Sequence, residues 1–301
     1  MRLTEPATSA FTALTVVYGA PTPGCGSRYS DDEAETGGAA FEARTLGALA
    51  LRDTLLEAGS ASLGELLRGS VARSRTLSGH ADPRVAAYLA PLLKAAYTGR
   101  DLGVVLDEAG ARDVEDFART FGESGGYGLG PRREYRKLAS ALGAAVGGRD
   151  VSLRDVMRFA AKADPLAREY ASGFEVVREL VKPAMLVSLS RADSARAAVV
   201  QAYLETLAEL PDADVAARAG EREAAEVSRM ARGVVKAGGA HSRRGLEGIS
   251  NLDGLLREDS RLAPTATEQL AVAAAYLVCS EYGPETLGRR LRPTAYRNRG
   301  R

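Results

Sequence analysis

Residues able to do chemistry are concentrated in a few stretches of the chain. The strongest is DVSLRDVMRFAAKADPLAREYASGF, residues 150–174, where Asp150 and Asp164 precede helical patterns and Glu169 and Tyr170 follow within a turn. As structure, Asp150 and Asp164 read as N-caps, the second before Pro165, a residue suited to the first helical position. As chemistry, carboxylates at helix starts inside a pocket can hold a divalent metal or act as a general base. A second stretch is Gly125–Gly126–Tyr127–Gly128–Leu129–Gly130 with Arg132 and Arg133 behind it. Its backbone N–H groups, unobstructed by Cβ atoms, suit a phosphate, and the competing reading is a plain connector before a helix over 133–146. His80 lies in a Ser-Gly-His loop and reads first as a surface residue, as does His241 among glycines. Cys25, after Pro23–Gly24, reads as a thiol at a pocket mouth, and Cys279, on an apolar helix face, as core.

Other chemistries are excluded by what is missing. There is no glycine-rich loop ending in Lys-Ser/Thr, no strand before the 122–130 glycines, no HExxH and no CxxC. Two cysteines far apart and two histidines make no metal-ligand spacing, and a reducing, cytoplasmic setting is expected. With 40 basic and 39 acidic residues, no global field steers a polyanion, so any anion site must be local and nucleic acid is not an expected partner. The apolar N-terminal run is too short and interrupted for a signal peptide, and nothing later is expected to be long enough for a membrane span.

The elements that would position these residues are helices. Hydrophobic residues make up 45% of the 301, aromatics only 6%, and tryptophan is absent, so the core must be Ala, Leu and Val, which suit close helix packing. Val199, Tyr203, Leu207 and Leu210 recur at helical spacing and predict an amphipathic helix over 194–210. The same pattern appears at Val156, Phe159, Ala160 and Ala163, over 221–235, and over 268–279. Earlier helices are expected at 8–18, 39–58, 62–75, 83–97 and 113–121. The expectation is an all-α protein, one compact multi-helix domain over 1–283 around a central nucleotide-sized cleft, with a basic tail over 284–301.

The 150–174 stretch carries a resemblance. Asp150, Val151, Leu153, Val156, Met157, Ala160, Ala161, Asp164, Ala167, Glu169, Tyr170, Ala171, Gly173 and Phe174 are similar to a block of the triphosphoribosyl-dephospho-CoA synthase family. Further blocks follow in order across residues 13–283. The family's Pro-Lys-Pro-Gly resembles Pro21–Thr22–Pro23–Gly24, without its lysine, and Leu-Ala-Pro-Leu is present at 89–92. Thr-Asn-Thr-Asn-Leu-Gly has become Gly79–His80–Ala81–Asp82–Pro83–Arg84. Pro-Gly-Gly-Leu-Gly is similar to the 124–130 run, which favours its phosphate reading. Pro-Asp-Ser-Leu-Ile-x-Arg-Lys-x-Gly corresponds to residues 211–220, where Ala217 stands at the Arg and Arg218 at the Lys, so one cation remains of two. Near the end, Asn-Pro-Gly-Thr-Thr-Ala-Asp-Leu is reduced to residues 263–270, with Glu268 one place before the family's acid.

The resemblance implies transfer of the triphosphoribosyl part of ATP to the 2′-hydroxyl of 3′-dephospho-CoA, with adenine released. Such a glycosyl transfer wants a carboxylate near a cationic transition state, a base for the attacking hydroxyl, and Mg²⁺ with cations along the triphosphate. On that basis Asp150 and Asp164 are assigned to metal or base work, Arg28 and Arg218 to phosphates, and Gly125, Gly126 and Gly128 to backbone contacts. A site rebuilt around the replaced positions would use His80, Asp82, Arg84 and Glu268, with Asp82 and Glu268 as its catalytic acids. Because the replaced positions are mostly polar, two readings are expected to compete: a transferase, and a non-catalytic relative that binds or scaffolds with a vestigial nucleotide pocket; a homo-oligomer or a protein partner stays open for either.

Overall fold

Local capping chemistry decides where most helices start. The computed structural model describes residues 5–27, 39–55, 60–123, 133–192 and 194–289. Among these residues there is no strand, and sixteen α-helices carry the fold. Helix α1 is Glu5–Tyr18 and α2 is Ala39–Leu55. Helix α3, Leu63–Ser78, opens on a capping box in which the Ser62 hydroxyl accepts from Glu65 N–H and the Glu65 carboxylate accepts from Ser62 N–H. Asp82 starts α4 (Pro83–Thr98), with Pro83 in its first turn. Shorter helices α5 (Leu102–Asp107), α6 (Ala111–Glu123), α7 (Arg136–Ala145) and α8 (Leu153–Ala160) follow. The cap of α8 is Ser152, not Asp150 as the spacing suggested: the Ser152 hydroxyl accepts from Asp155 N–H, and Asp150 sits exposed on the preceding turn. Asp164 does cap α9 (Pro165–Ser172), as expected.

Beyond α9 the chain turns through left-handed Gly173 and Phe174 (φ 65°) into a π-helical turn, Val177–Val181, that runs on into α10 (Lys182–Arg191). Helices α11 (Ala195–Glu209), α12 (Ala213–Arg218), α13 (Glu221–Lys236), α14 (Arg243–Arg257) and α15 (Thr265–Tyr282) complete the body. Helix α16, Glu285–Gly288, packs a fully buried Leu287 beneath α1, so the described part of the expected tail is docked rather than free.

Two helices form the centre. Helix α11 is buried on nearly every face rather than on one, and α15 brings Ala271, Ala273, Ala274 and Ala275 into the core with no exposed surface. Such small side chains let α1, α4, α10 and α11 all pack on α15. The Ser260–Tyr282 segment that contains α15 is long and apolar enough to cross a membrane by length and composition, against the expectation from sequence, but 78% of its most apolar stretch is buried inside the protein, as in a core helix. The periodic pattern misplaced Phe159, which is 84% exposed beside Arg136 and Lys137.

One interior contact explains two of the motif pieces. Pro91, inside α4, has no N–H to give to the Ala87 carbonyl one turn back. The buried Tyr170 hydroxyl of α9 donates to that carbonyl instead, at 2.7 Å.

Candidate functional site

The start of α4 carries charge into the middle of the bundle. Asp82 caps the helix by accepting from Arg84 and Val85 N–H groups, and Arg84 then turns inward until its side chain is 0% exposed. Its guanidinium pairs with Asp164, the α9 cap, and with Asp214 of α12 at 2.7 Å, while standing over the Tyr135 ring. A buried cation holding two buried acids costs several kcal/mol to desolvate, repaid when each charge is paired and hydrogen-bonded. These are. Asp164 Oδ1 accepts from Ala167 N–H, and Asp214 Oδ2 accepts from the Thr265 hydroxyl at 2.6 Å. Arg218 joins the same network through Thr265, the Ala263 carbonyl and the Asp214 carbonyl.

The N-terminus of α15 meets this network from the other side. Pro264 offers no side-chain cap, so Asp212 Oδ2 takes the Thr267 N–H and hydroxyl while its Oδ1 caps α12. Burial and the neighbouring Asp214 charge push the Asp212 carboxyl up to about 6.

One residue later on α15, Glu268 is 4% exposed and pairs with Arg44 of α2. Arg44 also donates to the Gly26 carbonyl at 2.6 Å and lies over the Tyr18 ring, 3.7 Å from its centroid. Only one oxygen of Glu268 is spoken for: Oε1 is buried without a hydrogen bond of regular geometry, although the Thr22 hydroxyl helps to hold its charge. Burial raises the Glu268 carboxyl above the ordinary range, Arg44 opposes the rise, and Asp82 adds to it. Arg44, Tyr18, His80 and Asp82 line one cleft among α1, α2, α3 and α4, with Ser70 and Ser74 on its wall. The described lining leaves about 30 Å³ for solvent, enough for about two waters, so the nucleotide-sized cleft expected from sequence is narrow here.

Several expected residues therefore come together and others do not. His80 and Asp82 share the cleft, Glu268 joins it through Arg44, and Asp164 and Arg218 lie in the charged interior that begins two residues after Asp82. Asp150 is exposed on a turn, apart from this buried network. Arg28, Gly125, Gly126 and Gly128 lie outside the described residues. Cys25 is not at a mouth: it is 2% exposed, its Sγ 3.7 Å from both the Tyr203 hydroxyl and the Pro264 carbonyl, and burial pushes its thiol well up. The Pro23–Gly24 turn beside it is fixed from α14, where Asp253 accepts from Gly24 N–H and Arg257 donates to the Cys25 carbonyl. Gly24 has φ +75° and no room for a Cβ against Leu256. Cys279 is core, as expected.

Arg44, Asp212, Asp214 and Thr265 were not singled out from sequence. Arg44 sits in an ordinary helical pattern with no local sign. Asp214 had one: an acid where the family pattern has Leu, in a chain that also puts Arg84 where the pattern has Gly.

The donor set does not fit a protein-bound Mg²⁺. A magnesium site wants near-octahedral oxygens, with one or two free carboxylates, whereas Asp164 and Asp214 have both oxygens engaged and Asp150 is elsewhere. No group of three His, Cys, Asp or Glu able to hold a metal exists among the described residues.

An all-helical scaffold whose buried acids and arginines gather behind a narrow cleft defines a class of helical proteins with a charged interior site. The chain belongs to the ATP:dephospho-CoA triphosphoribosyl transferase family (CitG), whose model matches residues 4–284. Among solved structures it is similar to one from Archaeoglobus fulgidus, provisionally described as a triphosphoribosyl-dephospho-CoA synthase, with a TM-score of 0.62 and 21% identity. That match covers 80% of this chain and 98% of the other, and it shows the shared fold. Comparison with curated proteins gave no match.

Proposed function

We propose that the chain transfers the triphosphoribosyl group of ATP to 3′-dephospho-CoA, or to a related acceptor, releasing adenine at the α1–α4 cleft. The observation that carries this reading is Glu268: a buried acid with an arginine positioned on one oxygen, no regular hydrogen bond on the other beyond the influence of the Thr22 hydroxyl, and its proton affinity raised. When a phosphate of the substrate draws Arg44 off, Glu268 is uncovered beside Asp82. The raised carboxyl then suits removal of a proton from the attacking hydroxyl. Asp82, lining the same cleft, suits the positive charge that develops on the ribose. Arg44, at the cleft, is the cation placed to meet a phosphate there, and Arg218 lies in the network behind it, its guanidinium held by Thr265 and the Ala263 and Asp214 carbonyls. Binding must widen the cleft, because ligand pockets run to about 300–1,000 Å³.

The test is chromatographic detection of adenine from ATP, Mg²⁺ and a panel of acceptors including 3′-dephospho-CoA. Adenine formed only with acceptor, and lost in E268Q, supports the transferase. Absence of adenine with every acceptor, together with tight nucleotide binding, would instead establish the binding-subunit reading.

A further inference from the structure

The cleft among α1, α2, α3 and α4 has two unlike ends. Its direction follows from how α2 and α3 run: Ser74 donates to the Gly47 carbonyl and the Thr54 methyl lies against Gly69, so the two helices are antiparallel. Going inward from Arg44, the walls therefore pass from Gly47, Ser74 and Asp82 to Leu51, Ser70 and Val71, with Val85 and Ala86 one turn along α4. The outer end carries the charged groups. The inner end is apolar, and Leu14, Leu51, Val71, Val85 and Ala86 are all buried there.

One polar group sits among them. The Ser70 side chain is 1% exposed and its hydroxyl has no hydrogen-bond partner. Its neighbours on α3 do find partners: Thr76 and Ser78 donate to carbonyls four residues back, and Ser74 reaches across to α2. A buried hydroxyl without a bond is a cost to the folded chain that the polar edge of a ligand would remove.

We propose that the inner end is the seat of the purine base, and that Ser70 is the residue that reads the base's polar edge. The proposal rests on the transferase reading above and gives ATP a direction in the cleft: base inward, triphosphate toward Arg44, ribose between them beside Asp82. A purine has two apolar faces and a rim of nitrogen donors and acceptors, which suits aliphatic walls with a single hydroxyl. An uncharged base, unlike a phosphate, can also enter a dry end without a counter-ion. In the free chain the aliphatic side chains close the seat, and it opens as the cleft widens.

The experiment measures binding of ATP and of inorganic tripolyphosphate to the full chain by calorimetry, with Mg²⁺ and without acceptor, in the wild type, S70A and G47A. The wild type should bind ATP more tightly than tripolyphosphate. S70A should weaken ATP by about 3–10-fold and leave tripolyphosphate unchanged. It should melt no lower than the wild type, because the hydroxyl it removes has no bond to lose, whereas loss of a structural serine would lower the midpoint. G47A adds a methyl to the cleft wall where the nearest atom, Ser74 Oγ, is 3.7 Å away, so the fold accepts it. It should weaken ATP and spare tripolyphosphate. ATP affinity that ignores both variants, the outcome of a hydroxyl that meets water only, would overturn the proposal, as would equal losses for ATP and tripolyphosphate. A wild type that binds ATP no more tightly than tripolyphosphate would overturn it too. Adenine release decides the wider reading separately. Turnover with an ATP affinity blind to the variants sinks the seat alone, and an ATP affinity that follows them without any adenine release sinks the transfer alone.

Discussion

Arg44 and Arg84 do the same thing in two places with opposite results. Each crosses from an early helix to acids contributed by the second half of the chain. Around Arg84 every oxygen of both acids has a donor, and the charges lock α4, α9 and α12 together. Around Arg44 the acid keeps one oxygen without a regular bond, and the arginine touches a solvent-reaching cleft. A cluster whose carboxylate oxygens all have donors specifies structure, even with Arg84 Nε left without a partner; a carboxylate with an unused oxygen behind a cleft is where chemistry can start.

The sharpest way to break that contrast is R84M. It strands Asp164 and Asp214 in the core and should cost about 3–5 kcal/mol in denaturant unfolding. A loss near zero would show that the interior network is not what binds these helices. E268Q should do the reverse, cutting adenine release by about 10²–10⁴-fold while leaving the melting midpoint within a few degrees. Unchanged turnover would erase the distinction between the two arginines.

A third buried acid sharpens it further. Glu169 is held by the N–H groups of Val176 and Val177 rather than by an arginine, and burial lifts its carboxyl to about 7. Its folded value lies above its unfolded one, so the folded state binds the extra proton. Stability should therefore be highest below the ordinary carboxylate range and fall as pH rises toward about 7, by about 3 kcal/mol at most, then level off. E169Q should flatten that slope in a series of urea midpoints against pH; an equal slope in the variant would assign it to other groups. The smallest effect is expected for D150A: stability within about 0.5 kcal/mol and adenine release unchanged, since Asp150 is exposed outside both networks. A large loss of turnover would restore Asp150 to the site.

Helical class and most helix starts were legible because capping and periodicity are written in adjacent residues. Asp164, Asp82 and Ser62 do their work within three positions of themselves. Phe159 was misread because one apolar face is shared by residues that a short helix cannot bury together. Cys25 was misread because its surroundings, Tyr203 and Pro264, come from far along the chain. The same holds for the site. Asp82, Asp164 and Glu268 could be named, yet their partners Arg44 and Asp214 are chosen by tertiary packing, which no local spacing announces.

The hydrogen bond from Tyr170 to the Ala87 carbonyl makes two distant positions a single inherited character. A lineage that first trades Pro91 for a residue with an N–H restores the helix's own bond, and is then free to trade the tyrosine for phenylalanine. One that begins with the tyrosine leaves a carbonyl stranded in a dry core. Replacement can pass through this pair in one order far more readily than in the other.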